Sequence, residues 1–81
     1  MKLFEIGTKL KELRKEKSIT QEELAKIANI SRVTLGKLER GHVGSVSIKT
    51  LDLILDALGY EIDFKPKDSY GFGIPVFGEG V

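Results

Sequence analysis

The 81 residues include no cysteine, no tryptophan, one histidine and two prolines. Without cysteine there can be neither a disulfide nor a thiolate metal site, and the lone His42 cannot complete a metal site by itself. There is no nucleotide-binding glycine motif and no pair of acids set in a pocket-forming pattern, so the sequence argues against an enzyme and implies no cofactor. No apolar run approaches the roughly 20 residues of a membrane span, and MKLFEIGTKL lacks the long hydrophobic stretch of a signal peptide. The expectation is a cytoplasmic, nucleoid-associated protein with no membrane partner.

What is present is a chain with 41% hydrophobic residues. That suffices for one core, at a size where a second copy would add useful stability. The net charge is only +1, but it is unevenly placed. Residues 1–49 carry 11 Lys and Arg against 6 Glu, whereas residues 50–81 carry 2 Lys against 6 acids. A basic front can steer one face towards phosphate and leave the acidic rear for another partner. A chance fluctuation among solvated charges would give the same count.

The order of elements follows from apolar spacing. Ile6, Leu10 and Leu13 predict a first amphipathic helix over about 4–17, with Gly7 and Thr8 blurring its start. Thr20 three residues before Glu23 is a capping box and opens a second helix, whose inward stripe should be Leu24, Ile27 and Ala28 beside a small Ala25. Asn29 suits a left-handed turn, Ile30 plugs the corner, and Ser31 can cap a third helix with Leu35 and Leu38 inside. This spacing leaves Arg32, Val33, Thr34, Gly36 and Lys37 outside. After a loop at 41–46, Ser47 can cap a fourth helix that Gly59 ends. Ile48, Leu51, Ile54, Leu55 and Leu58 should face its inner side, with Leu53 off the stripe.

Residues 21–40, QEELAKIANISRVTLGKLER, hold what a helix-turn-helix requires: a small residue at Ala25, a turn residue at Asn29 and apolar locks around them. They resemble the helix-turn-helix of the phage-repressor and Cro family, the XRE type, over about residues 6–59. TQEELA at 20–25 and LGKLERG at 35–41 are the clearest marks. Asn29 stands where that family favours glycine, and Gly36 inside the third helix costs about 1 kcal/mol of propensity unless close approach to DNA offsets it. The resemblance implies that Gln21 grips a phosphate and supports the next base contact, and that Arg32, Val33 and Lys37, with Ser31 and Thr34 beside them, face base edges. Their chemistry agrees. Arginine can donate a fork to guanine, valine can meet a thymine methyl, and lysine can reach a base or a phosphate. The resemblance also makes Arg14 and Glu39 an ion pair between the first and third helices, with two independent surface charges as the alternative. Ser45 and Lys49, beside the loop amides, are further phosphate candidates.

From Tyr60 the pattern changes to alternation, with Tyr60, Ile62 and Phe64 on one face, and predicts a strand that Pro66 stops. It has no second strand to pair with, so its own copy in a symmetric dimer is the economical partner. Opposing Glu61 to Lys65 and Ile62 to Phe64 is the preferred antiparallel register, because the alternative sets acids against acids. Leu53 and the three apolar strand residues then form the dimer interface. ALGYEIDFKPKD at 57–68 resembles HipB-like antitoxins. That resemblance implies a strand-paired homodimer on a palindromic operator and, as partner, a HipA-like serine/threonine kinase toxin. The segment 68–81 reads as a flexible tail, with Tyr70, Phe72 and Phe77 as docking residues in a second reading. The expected architecture is mainly α: a four-helix repressor-type domain at 1–59, a dimerisation strand at 60–67, and the tail. The function expected is a sequence-specific repressor, with a module that mainly sequesters a toxin, or a stand-alone phage-type repressor, as the alternatives.

Overall fold

The computed structural model describes residues 1–67. Four α-helices follow one another: α1 Leu3–Glu16, α2 Gln21–Ala28, α3 Arg32–Glu39 and α4 Ile48–Ala57, with a short 3₁₀ turn at Val43–Ser45 before the last. The core is built from Leu10 and Leu13 of α1, Leu24, Ala25 and Ala28 of α2, Leu35 and Leu38 of α3, Ile54 of α4 and Leu58 just after it. Helix α2 packs against both α3 and α4, while α1 lies across α3 and the 3₁₀ turn. Ile19, Ile30, Val43 and Val46, all in connections, close the edges of that core.

Caps set the starts of three helices. Thr20 accepts from the Glu23 amide at 3.0 Å, and Glu23 accepts in return from the Thr20 amide at 2.9 Å. Ser31 accepts from Thr34 N at 3.0 Å and Ser47 from Thr50 N at 3.1 Å. Each oxygen satisfies an amide that the helix itself leaves without a partner. Helix α1 begins earlier than its glycine suggests, at Leu3, with Glu5 accepting from the Lys2 amide at 2.7 Å.

All four helices stop in the same way. A residue in the left-handed region follows the last turn, at Ser18 (φ 56°), Asn29 (φ 59°), Gly41 (φ 104°) and Gly59 (φ 85°). The next amide then reaches back five residues: Ile19 to Arg14 O, Ile30 to Ala25 O, His42 to Lys37 O and Tyr60 to Leu55 O, at 2.8–3.1 Å. This closure satisfies carbonyls that would otherwise face the core unpaired. Asn29 has the predicted conformation. Ser18 shares it although serine gives little sign of it.

Four expectations need correction. Ile27 is 54% exposed, because Leu24, Ala25 and Ala28 already fill the face that α2 presents to its neighbours. Ile48, the first residue of α4, is 76% exposed. Gly7 does not blur the start of α1. It lies buried within the helix, and a Cβ there would overlap the Leu38 carbonyl oxygen and come 3.0 Å from the Glu39 carbonyl carbon. Glycine is what lets α1 touch the backbone at the end of α3. Gly36 is also buried, not presented on the outer surface.

Among the described residues there is no strand, and residues 60–67 carry no regular structure. Tyr60, Ile62 and Phe64 are exposed by 51%, 43% and 90%, and Leu53 by 40%. With Ile6, Leu51 and Leu55, the residues Tyr60, Ile62 and Phe64 line an apolar groove of about 580 Å³ between α1, α4 and the end of the described chain, and Leu53 is not part of it. The proposed docking residues Tyr70, Phe72 and Phe77, and the tail assignment at 68–81, lie outside the described residues.

Candidate nucleic-acid interface

The outer side of α3 carries Arg32, Val33 and Lys37, all exposed, with Val33 at 68%. Positions 32, 33 and 37 fall on one side because a helix advances about 100° per residue. Leu35 and Leu38 on the opposite side are at most 1% exposed and hold the helix to the core. Thr34 is half-buried. Its amide and its hydroxyl both engage Ser31, the hydroxyls lying 2.9 Å apart, so Ser31 and Thr34 are committed to the start of the helix.

Beneath this face lies a buried polar seam. Arg14 Nε and Nη2 donate to the two carboxylate oxygens of Glu39 at 2.7 and 3.1 Å, with both residues at most 7% exposed. Arg14 Nη1 donates to the Ile19 carbonyl at 2.9 Å. Gln21 Nε2 donates to Glu39 Oε1 at 2.8 Å. One carboxylate therefore ties together α1, the first residue of α2 and the last residue of α3. No buried side-chain nitrogen or oxygen among the described residues lacks a partner, as the cost of desolvating an unpaired polar group demands. The paired arrangement matters chiefly because removing one member would strand the other.

Gln21 was expected to face a phosphate. Its amide nitrogen is held by Glu39, which leaves its second N–H and its carbonyl oxygen for anything approaching α3. Ser45 is exposed and its hydroxyl donates to the His42 carbonyl at 2.7 Å, which braces the 3₁₀ turn. Lys49 is exposed in the first turn of α4. The carboxyl of Glu23 is held below its ordinary value of 4.5, first by the Thr20 amide and then by the Thr20 hydroxyl. The residue that spacing did not single out is Arg40. It follows α3 directly, and its guanidinium lies over Gly36. The signal was available in its position four residues after a glycine, where a side chain can fold back unobstructed.

Two short helices joined through a left-handed residue, with a capped second helix turned outward, define a helix-turn-helix module. Residues 10–65 match the helix-turn-helix family model, and the chain belongs to that family. It is 38% identical over 55 residues to a protein named antitoxin HigA2 from Mycobacterium tuberculosis (strain ATCC 25618 / H37Rv), a match covering 68% of this chain and 54% of that protein. It is 39% identical over 57 residues to the immunity repressor protein of Bacillus phage phi105, covering 70% and 39%. The chain thus spans about half the length, or less, of these curated relatives. The crystal structure of ClgR, the clp gene regulator of Corynebacterium glutamicum, matches with a TM-score of 0.66 at 34% identity, over 72% of this chain and 61% of that one. No helix among the described residues is long and apolar enough to cross a membrane.

Proposed function

We infer that this helix-turn-helix domain is a sequence-specific repressor that reads double-stranded DNA with α3 and acts as a homodimer on a palindromic operator. The observation that carries this reading is the exposed Arg32, Val33 and Lys37 face on a helix braced from behind by Arg14, Glu39 and Gln21. Arg32 forks to guanine, Val33 meets a thymine methyl and Lys37 takes a base or phosphate. Ser45 and Lys49 add phosphate contacts from the loop and α4. The phage repressor among its relatives supports the regulatory half of the reading.

Pairing of two copies is supported by the apolar rear. Tyr60, Ile62 and Phe64 alternate with charged residues, are exposed, and line the same groove as α4. Antiparallel pairing with Glu61 opposite Lys65 and Ile62 opposite Phe64 would cover them, and Leu53 with them. The finer reading is an antitoxin that represses its own toxin-antitoxin operon. It draws support from the relative named antitoxin HigA2 and from the likeness of residues 57–68 to HipB-like antitoxins, which makes a HipA-like kinase the partner of choice. A chain that mainly sequesters a toxin is the second reading, favoured by the groove, and tested by deleting 69–81. Loss of toxin capture with operator binding intact would support that reading.

The repressor reading is tested by selecting a binding site from random duplexes and measuring it against the Arg32→Ala and Lys37→Ala double variant. Each base contact removed should cost about 1–3 kcal/mol and relax one base preference. Unchanged affinity and preference would remove α3 as the reader.

A further inference from the structure

Gly36 is an odd residue to find in the middle of an eight-residue helix, since glycine is the worst helix former after proline. It is buried, yet no neighbouring backbone presses on it. Apart from the backbone of α3 itself and the residues next to it in sequence, the only atoms of the described residues within 4 Å of where its Cβ would stand are Arg40 Nη1 at 3.3 Å and Gln21 Nε2 at 4.0 Å. Its cover is therefore two polar side-chain tips, and the missing side chain is what leaves room for them.

Arg32, Gly36 and Arg40 succeed one another at four-residue intervals, so they form a single ridge along α3 whose two ends are exposed and whose middle is covered. A long residue at 36 would fill the space between the two arginines. With glycine there, Arg40 folds back along the helix until its Nη1 and the Gln21 Nε2 border the same space, where a side chain at 36 would begin. No carboxylate among the described residues pairs with Arg40. Gln21, fixed by Glu39 at 2.8 Å, has a second N–H to give. It also opens α2, where the helix end is electropositive.

We propose that Gly36 is the seat on which Arg40 folds back to Gln21, and that the two side chains together clamp one backbone phosphate of the bound DNA. The clamp deepens the repressor reading and rests on it. Gly36 then serves the side chain above it and not the close approach of the helix backbone to a base. Arg40 supplies a planar, unpaired charge that suits two phosphate oxygens, and Gln21 supplies an amide whose direction Glu39 has already set.

The test is a cycle of full-length proteins, wild type, Arg40→Ala, Gly36→Gln and the double variant. They are titrated against a random-sequence duplex and the selected site at several salt concentrations, with thermal unfolding measured alongside. Arg40→Ala should weaken binding to both duplexes by about tenfold and lower the salt slope by about 1. Gly36→Gln should unfold at the same or a higher temperature, since the helix gains a better former, and should still lose about as much affinity as Arg40→Ala. The double variant should lose no more than either one. If Arg40→Ala leaves affinity or salt slope unchanged while wild type binds, the clamp is wrong and the repressor reading stands. A double variant weaker than Arg40→Ala alone would show that residue 36 meets DNA directly, which also overturns the clamp. If wild type binds neither duplex, the DNA reading falls and the clamp with it.

Discussion

The two sides of the molecule are finished to different degrees. On the front, under α3, every buried side-chain nitrogen and oxygen of the described residues has a partner, and one carboxylate joins three helices. On the rear, α1, α4 and residues 60–64 surround an apolar groove whose rim includes Ile48 and Phe64, exposed by 76% and 90%. A surface that must meet a hydrated, charged ligand can be complete before binding. A surface built to meet its own copy keeps apolar area uncovered until the copy arrives. On the proposed function, DNA recognition and pairing of copies would draw on separate halves of this small domain.

The contrast breaks most sharply at the seam. Glu39→Ala should cost about 3–5 kcal/mol, because Arg14 would stay buried without its carboxylate and Gln21 would lose its anchor. Chemical denaturation read by circular dichroism measures this. A loss under 1 kcal/mol would mean that water enters the seam and the front is not closed. The rear should give a change of state instead. Light scattering should report twice the 9.0 kDa chain mass, and truncation after Gly59 should give the monomer. A full-length chain that is monomeric at micromolar concentration would show the apolar groove to be unrelated to pairing.

Smaller effects sharpen the front. Thr20→Ala should cost about 1 kcal/mol through loss of the cap that starts α2. Glu23 adds a pH dependence to the same cap. Its folded carboxyl titrates below its ordinary value, so its contribution is present above about pH 4.5 and is lost as pH falls through the folded value. The destabilisation caused by Glu23→Gln should accordingly be visible in thermal unfolding at neutral pH and fade in acid. A difference that persists unchanged in acid would place its origin outside the ionised cap. Smallest of all, Ser18→Gly should raise stability by about 0.4–1 kcal/mol, because residue 18 already holds a conformation that glycine adopts freely.

How much of this could be read from the residues depends on whether a feature is local. The caps at Thr20, Ser31 and Ser47 and the turn at Asn29 are decided within a few residues and were legible. The left-handed Ser18 was not, since its reason is the Ile19 amide reaching back to Arg14. Ile27 and Ile48 have the right spacing for the core but stand where no element among the described residues covers them. Gly7 and Gly36 looked like flaws in their helices, whereas each marks a contact made from another element. For Gly7 it is the end of α3, and for Gly36 it is Gln21 of α2 together with the returning Arg40. At the rear, the alternation of Tyr60, Ile62 and Phe64 predicts a strand, whereas residues 60–67 carry no regular structure, because a strand needs a neighbour to bond with and the pattern does not supply one.

A hydroxyl-radical footprint on the selected site asks both halves of the molecule one question: does a front that reads and a rear that pairs make a two-headed reader? Two protected patches on one face of the duplex, one helical turn or about 34 Å apart and related by a two-fold axis, are the expected result. A single patch, or two patches that persist after truncation at Gly59, would contradict the division of the domain into a reading front and a pairing rear.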